Sequence, residues 1–533
     1  MATHMVLRIV RNGCRNLPRS GRRSFCSKPL NCNGTGDIAN VPLSQPIPGL
    51  PPPRFTSAEA SKNETQVTVL DNGLTVATEN VFGQFCTVGV LINSGSRYEV
   101  AYPSGISHFL EKIAFGSTTQ YTDKDKILQE LEKHGGICDC QSSRDTLIYA
   151  MSAETRGLQA VVNILSEVIN RPIVTAEELE DAKMAVGFHI QGMELDPNPE
   201  PILMELIHQV IYTRSLQGNT LGLPHRCPPE NIDKIEKNIL YTYMKNYHTP
   251  ERMVLAGVGM DHEQMVELAK EHFVKNYKPI WLEQENLVDK KMSVDNSLAQ
   301  YTGGKVLVEK DLSNVSLGPT PMPELAHIVI GLESCSHKDD DFISFCVLNM
   351  MMGGGGSFSA GGPGKGMYTR LYLNVLNRFH WIHNATCYNH AYDDSGLFCI
   401  HASSHPDQLS DLVEVIVREL LNTTSFVDKI ELQRAKTQLQ SMLLMNLESR
   451  PVIFEDVGRQ VLSSGHRKQP EYFYDLIGKV TPQDIQRVAE RMLTSKLSLS
   501  ALGSLANLPD YENIQNTLLG KNGKRSRFSF LGL

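Results

Sequence analysis

The sequence lacks an apolar run long enough to cross a bilayer. A membrane-spanning helix needs about 18 or more consecutive apolar residues, and no stretch of the 533 residues approaches that length. Hydrophobic residues make up 41% of the chain and charged residues 21%, which excludes a disordered or collagen-like chain. Basic residues are not in excess, with 51 Lys and Arg against 59 Asp and Glu. Nucleic acid is therefore disfavoured as the main partner, because phosphate contacts require clustered basic side chains.

Acidic residues are missing from the N-terminal segment 1–36, which contains seven basic residues. Short apolar groups lie next to Arg8 and Arg11, and serines are interspersed. This composition predicts a mitochondrial transit peptide with its flank, and the apolar core of a secretory signal is absent. Arg23 precedes Phe25 and Cys26, where we predict the approximate cleavage position. A disordered basic tail is the alternative interpretation.

Paired cysteines at zinc-finger spacing are also absent. The chain has 11 cysteines, and Cys138 and Cys140 form the one close pair, with no second pair to complete a tetrahedral zinc site. The scattered positions predict reduced thiols rather than a disulfide framework.

Residues 37–63 are rich in proline and predict a linker. From Thr65 the pattern becomes that of an α+β protein. Gln66–Leu70 and Leu74–Thr78 flank an Asp-Asn-Gly turn and predict a hairpin. Further strands are predicted at 85–93, 146–152 and 252–259, and helices at 104–115, 123–133, 154–170, 175–194, 198–213, 229–247 and 342–352.

The second half of the sequence repeats the order of the first. Three pairs of segments match with a nearly constant offset: Leu147–Ser152 with Leu397–Ala402, Glu178–Lys183 with Glu431–Lys436, and Met253–Gly259 with Leu497–Gly503. We therefore predict a duplicated unit. The fold class is α+β, with two homologous halves that each contain an antiparallel β-sheet packed with helices. The predicted domains are 64–278 and 326–533, joined by a linker at 279–325.

An inverted zinc motif on the helix at 104–115 lacks one of its ligands. In H-x-x-E-H, two histidines at positions i and i+4 share a helix face and hold the metal, and the Glu activates its bound water. His108 and Glu111 are present, but Lys112 stands at the second ligand position. An ammonium group has no lone pair to offer a metal. We therefore predict no metal site and no catalytic residue, and interpret His108, Glu111 and Lys112 as a vestigial motif.

Histidines are also frequent in the second half, at positions 380, 383, 390, 401 and 405. His401 and His405 fall across a strand end before Pro406, where i,i+4 spacing does not place both side chains on one face. We interpret each of the five as a core or surface residue.

The motif, the duplication and the length together resemble the pitrilysin-type metallopeptidases. In that family a Glu further along the chain provides the third zinc ligand. Here the corresponding position falls at Phe188 or His189, and no acid lies between Asp181 and Glu194. His189 is a conceivable metal ligand, although Lys112 opposes a cation. The resemblance thus implies the family fold without hydrolytic activity.

A glycine-rich loop occupies residues 353–366. Its spacing does not match the P-loop, because Lys365 is followed by Gly366 rather than Ser or Thr, and it does not match G-x-G-x-x-G. A simple linker is the alternative, but connections between helices in compact domains are usually shorter. Glycine exposes backbone groups that can pair with an extended peptide. The predicted substrate-binding residues are Gly353, Gly354, Gly355, Gly356, Ser357, Phe358, Ser359, Gly361, Gly362, Gly364, Lys365 and Gly366.

Within the pitrilysin-type family, a decayed zinc motif combined with such a loop resembles the non-catalytic subunits of processing peptidases. The resemblance implies a heterodimer with a zinc-bearing β-subunit, no cofactor in this chain, and binding of presequences of imported mitochondrial precursors in the matrix. Association with the inner membrane is left open. The alternatives are a structural core subunit of the respiratory bc1 complex and an active zinc peptidase with unusual ligands. Without residues 1–36 the chain has 44 basic and 59 acidic residues, a net charge of −15, which would favour encounter with basic presequences.

Overall fold

The computed structural model describes residues 64–196, 198–212, 220–289, 292, 294–312, 323–356 and 367–520. The predicted transit peptide and the predicted linker at 37–63 lie outside these residues. Among the helices of the described ranges, none combines the length and apolarity that a bilayer-crossing segment requires. All eight cysteines in these ranges are free thiols.

The first half is built around a six-stranded sheet. Its strands are β1 (Gln66–Val69), β2 (Thr75–Glu79), β3 (Phe85–Ile92), β4 (Ile137–Ser142), β5 (Leu147–Glu154) and β6 (Met253–Val258). The strand order is β1-β2-β6-β3-β5-β4. Neighbouring strands are antiparallel except for the parallel pair β2 and β6. The predicted hairpin is confirmed, because Val67 pairs with Ala77 across the turn.

The second half contains another six-stranded sheet. Its strands are β7 (Gly304–Glu309), β8 (Ala326–Glu333), β9 (Gly354–Gly356), β10 (Ile382–Ala391), β11 (Gly396–Ser404) and β12 (Ser498–Gly503). Their order is β7-β12-β8-β11-β10-β9, and only β7 and β12 are parallel. Strand β7 lies within the stretch 279–325.

The two sheets confirm the predicted duplication and the α+β fold class. Five consecutive strands of the first sheet, β2-β6-β3-β5-β4, correspond in order and direction to β7-β12-β8-β11-β10 of the second. The first sheet is extended by β1 at one end, and the second by β9 at the opposite end. Each sheet is mixed rather than purely antiparallel, because β6 lies parallel to β2 and β12 lies parallel to β7. Intervening helices connect the two strands of each parallel pair, as such a pair requires.

Fifteen α-helices are found in the described residues. They are α1 (Ile106–Ile113), α2 (Lys124–Glu132), α3 (Leu158–Asn170), α4 (Ala176–Leu195), α5 (Glu200–Ile211), α6 (Lys237–Tyr247), α7 (His262–Ala269), α8 (Ile280–Glu283), α9 (Phe342–Met352), α10 (Leu409–Asn422), α11 (Lys429–Asn446), α12 (Arg450–Ser464), α13 (Pro470–Lys479), α14 (Pro482–Leu493) and α15 (Tyr511–Leu518). The helix predicted at 342–352 is confirmed as α9. The single helix predicted at 229–247 is wrong, because Ile235 and Glu236 are extended between a 3-10 turn and α6.

Each half contributes one helix to the sheet of the other half. Helix α12 covers one face of the first sheet, where Phe454 and Val457 pack with Leu91 and Ile148. Helix α5 covers the corresponding face of the second sheet with Leu203, Ile207 and Ile211. The other face of each sheet packs against helices of its own half. Both sheets are therefore buried on two faces, and neither half would bury its full apolar surface alone.

Candidate functional site

Helix α1 carries the degenerate motif and begins at a tightly packed turn. Its N-cap residue, Gly105, has φ of 116°, a conformation that glycine adopts without steric cost. The buried Glu99 carboxylate accepts hydrogen bonds from the backbone N–H groups of Gly105, at 2.6 Å, and Ser107, at 2.7 Å. A carboxylate at this position satisfies free N–H groups of the first turn and interacts favourably with the helix dipole.

His108 lies on the buried face of α1 and is fully enclosed. Its Nδ1 accepts a hydrogen bond from the backbone N–H of Cys227 at 3.3 Å, and its Nε2 lies 2.9 Å from Nδ1 of His189 on α4. Because Nδ1 of His108 is an acceptor, the proton of the neutral ring is on Nε2, which donates to His189. Burial lowers the pKa of His108 to about 3, and Arg226 acts in the same direction.

The structure distinguishes between the two residues considered for the third ligand position. Phe188 is 71% exposed, whereas His189 contacts His108 directly. The residue facing the first histidine of the motif is therefore an imidazole rather than a carboxylate, and it is already engaged in a hydrogen bond with that histidine.

Glu111 is held by groups from three parts of the chain. Its Oε2 accepts hydrogen bonds from Ser142 Oγ on β4, at 2.7 Å, and from the Ser142 backbone N–H, at 3.3 Å. Lys112 Nζ lies 3.0 Å from Oε1, and Arg226 Nη1 lies 3.6 Å from Oε2. Burial acts to raise the pKa of Glu111, but Arg226, Ser142 and Lys112 outweigh it and lower the pKa to about 2. The carboxylate is thus ionised, and both of its oxygens are occupied.

These residues do not fit a catalytic zinc. Zinc requires neutral imidazole or anionic ligands with free lone pairs, but Lys112 offers an ammonium group without a lone pair at the second ligand position. Lys112 and Arg226 place two positive charges beside Glu111. Within the described ranges, no group of three or more His, Cys, Asp or Glu side chains is arranged to hold a metal ion.

Sequence analysis identified His108, Glu111, Lys112 and His189 but missed Ser142, His225, Arg226 and Cys227. His108, Glu111 and Lys112 are readable because i, i+3 and i+4 positions of one helix are neighbours, whereas His189 was found at the position that the family resemblance gives for the third ligand. The second set comes from β4 and from an irregular segment that only tertiary folding brings to α1. The one sequence signal for these residues was the run His225-Arg226-Cys227, in which three polar or reactive side chains stand between Pro224 and Pro228.

The described part of the glycine-rich loop forms an edge strand. Gly354–Gly356 constitute β9 and pair with Asn384, Ala385 and Thr386 of β10. A Cβ at Gly354 would lie 2.0 Å from the carbonyl oxygen of Ala385, so the pairing requires glycine there. The other predicted residues of the loop, Ser357, Phe358, Ser359, Gly361, Gly362, Gly364, Lys365 and Gly366, lie outside the described residues.

The histidines of the second half are dispersed as core and surface residues. The rings of His401 and His327 contact each other at 3.2 Å, and both are buried. His390 packs edge-on against His208, with ring centroids 5.2 Å apart. The ring of His405 accepts a hydrogen bond from the N–H of Asp407 in its own turn. These contacts account for the residues as elements of packing and local capping.

The comparisons with known proteins agree with this architecture. Residues 75–228 match the family model described as "Insulinase (Peptidase family M16)", and residues 234–439 match the one described as "Peptidase M16 inactive domain". The chain belongs to the M16 peptidase family, which includes the pitrilysin-type enzymes that its motif resembles.

Its similarity to particular members is more specific. The chain is 56% identical over 493 residues to the mitochondrial-processing peptidase subunit alpha of Homo sapiens, with 92% of each chain covered. It is 43% identical to the protein of the same name from Caenorhabditis elegans, which covers 91% of this chain and 94% of the relative. The corresponding protein of Solanum tuberosum is 32% identical, with 91% and 92% covered.

Proposed function

We propose that this protein is the non-catalytic, substrate-recognising subunit of a heterodimeric mitochondrial processing peptidase. The observation that carries the proposal is the state of the degenerate motif. His108 donates its Nε2 proton to His189, and Glu111 is bound by Lys112, Ser142 and Arg226. The peptidase fold is thus retained, while the groups that would hold the metal and activate water are engaged with each other.

The location and the partner follow from the relatives and from the sequence. The relatives are named as alpha subunits of a mitochondrial processing peptidase, and the predicted transit peptide at 1–36 directs the chain to the matrix. The partner is a zinc-bearing β-subunit, and the zinc is held there rather than in this chain. Imported precursors are the substrates, and their presequences are the segments that this chain binds.

The second sheet offers a suitable edge for an extended presequence. Strand β9 is the last strand of its sheet, and it consists of three glycines. Without side chains, its backbone can approach a peptide closely and form main-chain hydrogen bonds that do not depend on the peptide sequence. The other predicted substrate-binding residues follow β9 directly in the sequence. Acidic charge over the mature chain attracts basic presequences, and the attraction weakens as salt increases.

The test is presequence cleavage by each purified subunit and by their mixture. We expect this chain alone and the β-subunit alone to be nearly inactive and the mixture to be fully active. Full activity of this chain alone would refute the proposal. The alternative is a structural core subunit of the respiratory bc1 complex, and co-purification with cytochromes instead of a peptidase would favour it.

A loop variant tests substrate recognition separately. Residues 357–366 are replaced by an equally long segment of Ser, Thr and Asn, which leaves β9 and Tyr368 unchanged. Binding of a labelled presequence to a heterodimer with an inactivated β-subunit is measured by fluorescence anisotropy, and size-exclusion chromatography checks heterodimer formation. We expect affinity to fall at least tenfold while the heterodimer persists. Unchanged affinity in an intact heterodimer would contradict the role of the loop.

A further inference from the structure

We infer that the ancestral metal site has become a cation-substituted structural centre, sealed by residues 224–228. In this centre Lys112 and Arg226 supply the positive charge that faces Glu111, and the segment 224–228, which we term the strap, lies across the motif. The loss of two ligands is then one of two barriers to metal binding. The strap is the second barrier, and it also contributes to the stability of the fold.

Three consecutive strap residues each bind a different part of the site. The N–H of Cys227 donates to His108 Nδ1 at 3.3 Å, Arg226 Nη1 approaches Glu111 Oε2 at 3.6 Å, and His225 Nε2 lies 3.1 Å from Ser142 Oγ. The strap is also in tight contact with the start of α1. A Cβ added to Gly105 would lie 2.5 Å from Sγ of Cys227.

The hydrogen bonds that link His225 of the strap to Glu111 through Ser142 have a defined direction. Ser142 has one hydroxyl proton, which it donates to Glu111 Oε2 at 2.7 Å. The ring of His225 must therefore donate its Nε2–H to Ser142 Oγ. On the other side, the backbone N–H of His225 donates to Glu205 of α5 at 2.8 Å, and Arg144 forms an ion pair with the same carboxylate at 3.0 Å. The strap is thus fixed both at the motif and at the helix that crosses to the second sheet.

The charges explain why the strap holds its position. Glu111 is mostly buried, with 15% of its side chain exposed, compared with 26% for Lys112 and 27% for Arg226. A buried carboxylate is costly unless it is paired and hydrogen-bonded, and removal of one partner leaves an uncompensated charge. Lys112 pairs directly with Glu111 Oε1 at 3.0 Å, and Arg226 adds a second positive charge 3.6 Å from Oε2 without a hydrogen bond from Nη1.

This arrangement predicts the result of rebuilding the ligands. The double variant Lys112→His with His189→Glu restores the residue types of the metal motif, but Arg226 and the rest of the strap stay beside Glu111. The triple variant, which adds Arg226→Ala, removes the competing cation. Zinc binding is measured on the intact chain by equilibrium dialysis followed by metal analysis, and Co²⁺ absorption reports the ligand geometry. We expect the triple variant to bind one zinc at least a hundredfold more tightly than the double variant. Equal binding by the two variants, or binding by neither, would overturn the strap as the second barrier.

A thermodynamic cycle tests the structural charge pair without any metal. Arg226→Met is made in the wild-type chain and in the Glu111→Gln variant, and thermal unfolding is followed for all four proteins. We expect the loss of melting temperature caused by Arg226→Met to be at least halved in the Glu111→Gln background, because the uncompensated charge is then absent. The exposed pair Arg156 and Glu154, 3.4 Å apart, is the matched control, and Arg156→Met with Glu154→Gln should be additive. Additivity at Arg226 and Glu111 would overturn the inference.

Discussion

Replacing Phe454 with alanine tests whether helix α12 of the second half is part of the core of the first half. Phe454 is 1% exposed and packs on the face of the first sheet that α12 covers. Its ring lies directly over the backbone of β3, since a Cβ added to Gly89 would be 2.6 Å from Phe454 Cζ. Truncation of a fully buried phenylalanine costs about 3–5 kcal/mol, which includes the cavity left behind.

The expected change in melting temperature follows from the size of the unit. Unfolding entropy is about 2 cal/mol/K per residue, which amounts to roughly 1 kcal/mol/K for the compact unit Glu64–Leu533. Each kcal/mol of lost stability therefore lowers the melting temperature by roughly 1 °C, which gives about 3–5 °C for Phe454→Ala. Differential scanning calorimetry measures the shift, and hydrogen exchange locates it. Protection should fall in β3 and β6 but not in β8 and β11.

The matched control is Phe426→Ala, because Phe426 is 80% exposed. Its removal should change stability by no more than about 0.5 kcal/mol. Equal shifts for Phe454→Ala and Phe426→Ala, or an exchange effect confined to the second sheet, would refute the reasoning that α12 completes the first core.

Two further predictions concern close packing and pH. Gly458→Ala on α12 should lower the melting temperature, because the new Cβ would lie 2.2 Å from buried Leu91. Gly192→Ala on α4 faces open space and should raise stability by about 0.5–1 kcal/mol. Melting temperatures that change in the same direction for both variants in calorimetry would contradict this prediction. Burial lowers the pKa of His401 to about 3 and of His327 to about 4. The unfolded chain therefore binds more protons below pH 6.5, so stability falls as pH drops through about 6.5 to 4, by about 1.4 kcal/mol per pH unit for each ring. The urea midpoint of His401→Gln should change less steeply with pH than that of the wild-type chain. An unchanged dependence on pH would contradict the lowered pKa of His401 as a cause of the instability.

Local patterns in the sequence predicted much of the fold. The hairpin of β1 and β2, helix α9 and the repeat order were readable because turn residues, periodicity and matched segments act over short distances. Strand β4 was missed, since Cys138-Asp139-Cys140-Gln141 contains few residues that favour strands. Its place in the sheet is set by pairing with β5, which no local pattern of β4 shows.

The exchange of helices between the halves also escaped sequence analysis. Periodicity predicted the helix at 198–213 that corresponds to α5, but it does not say which sheet that helix covers. No helix was predicted at 450–464, where the structure has α12. The choice depends on the complementary surfaces of β3, β6, β8 and β11, which exist only after both sheets have formed.

The sequence by itself determined that the second ligand position of the H-x-x-E-H motif is occupied by an ammonium group. Lys112 replaces a ligand, and this chemical fact holds in any fold. It also determined the duplication and the glycine-rich composition of the loop. Only the tertiary structure decided that His189 rather than Phe188 faces His108, and that Arg226 faces Glu111. The physical reason is that a ligand set is defined by distances between side chains, and residues far apart in sequence acquire such distances only when helices and strands pack.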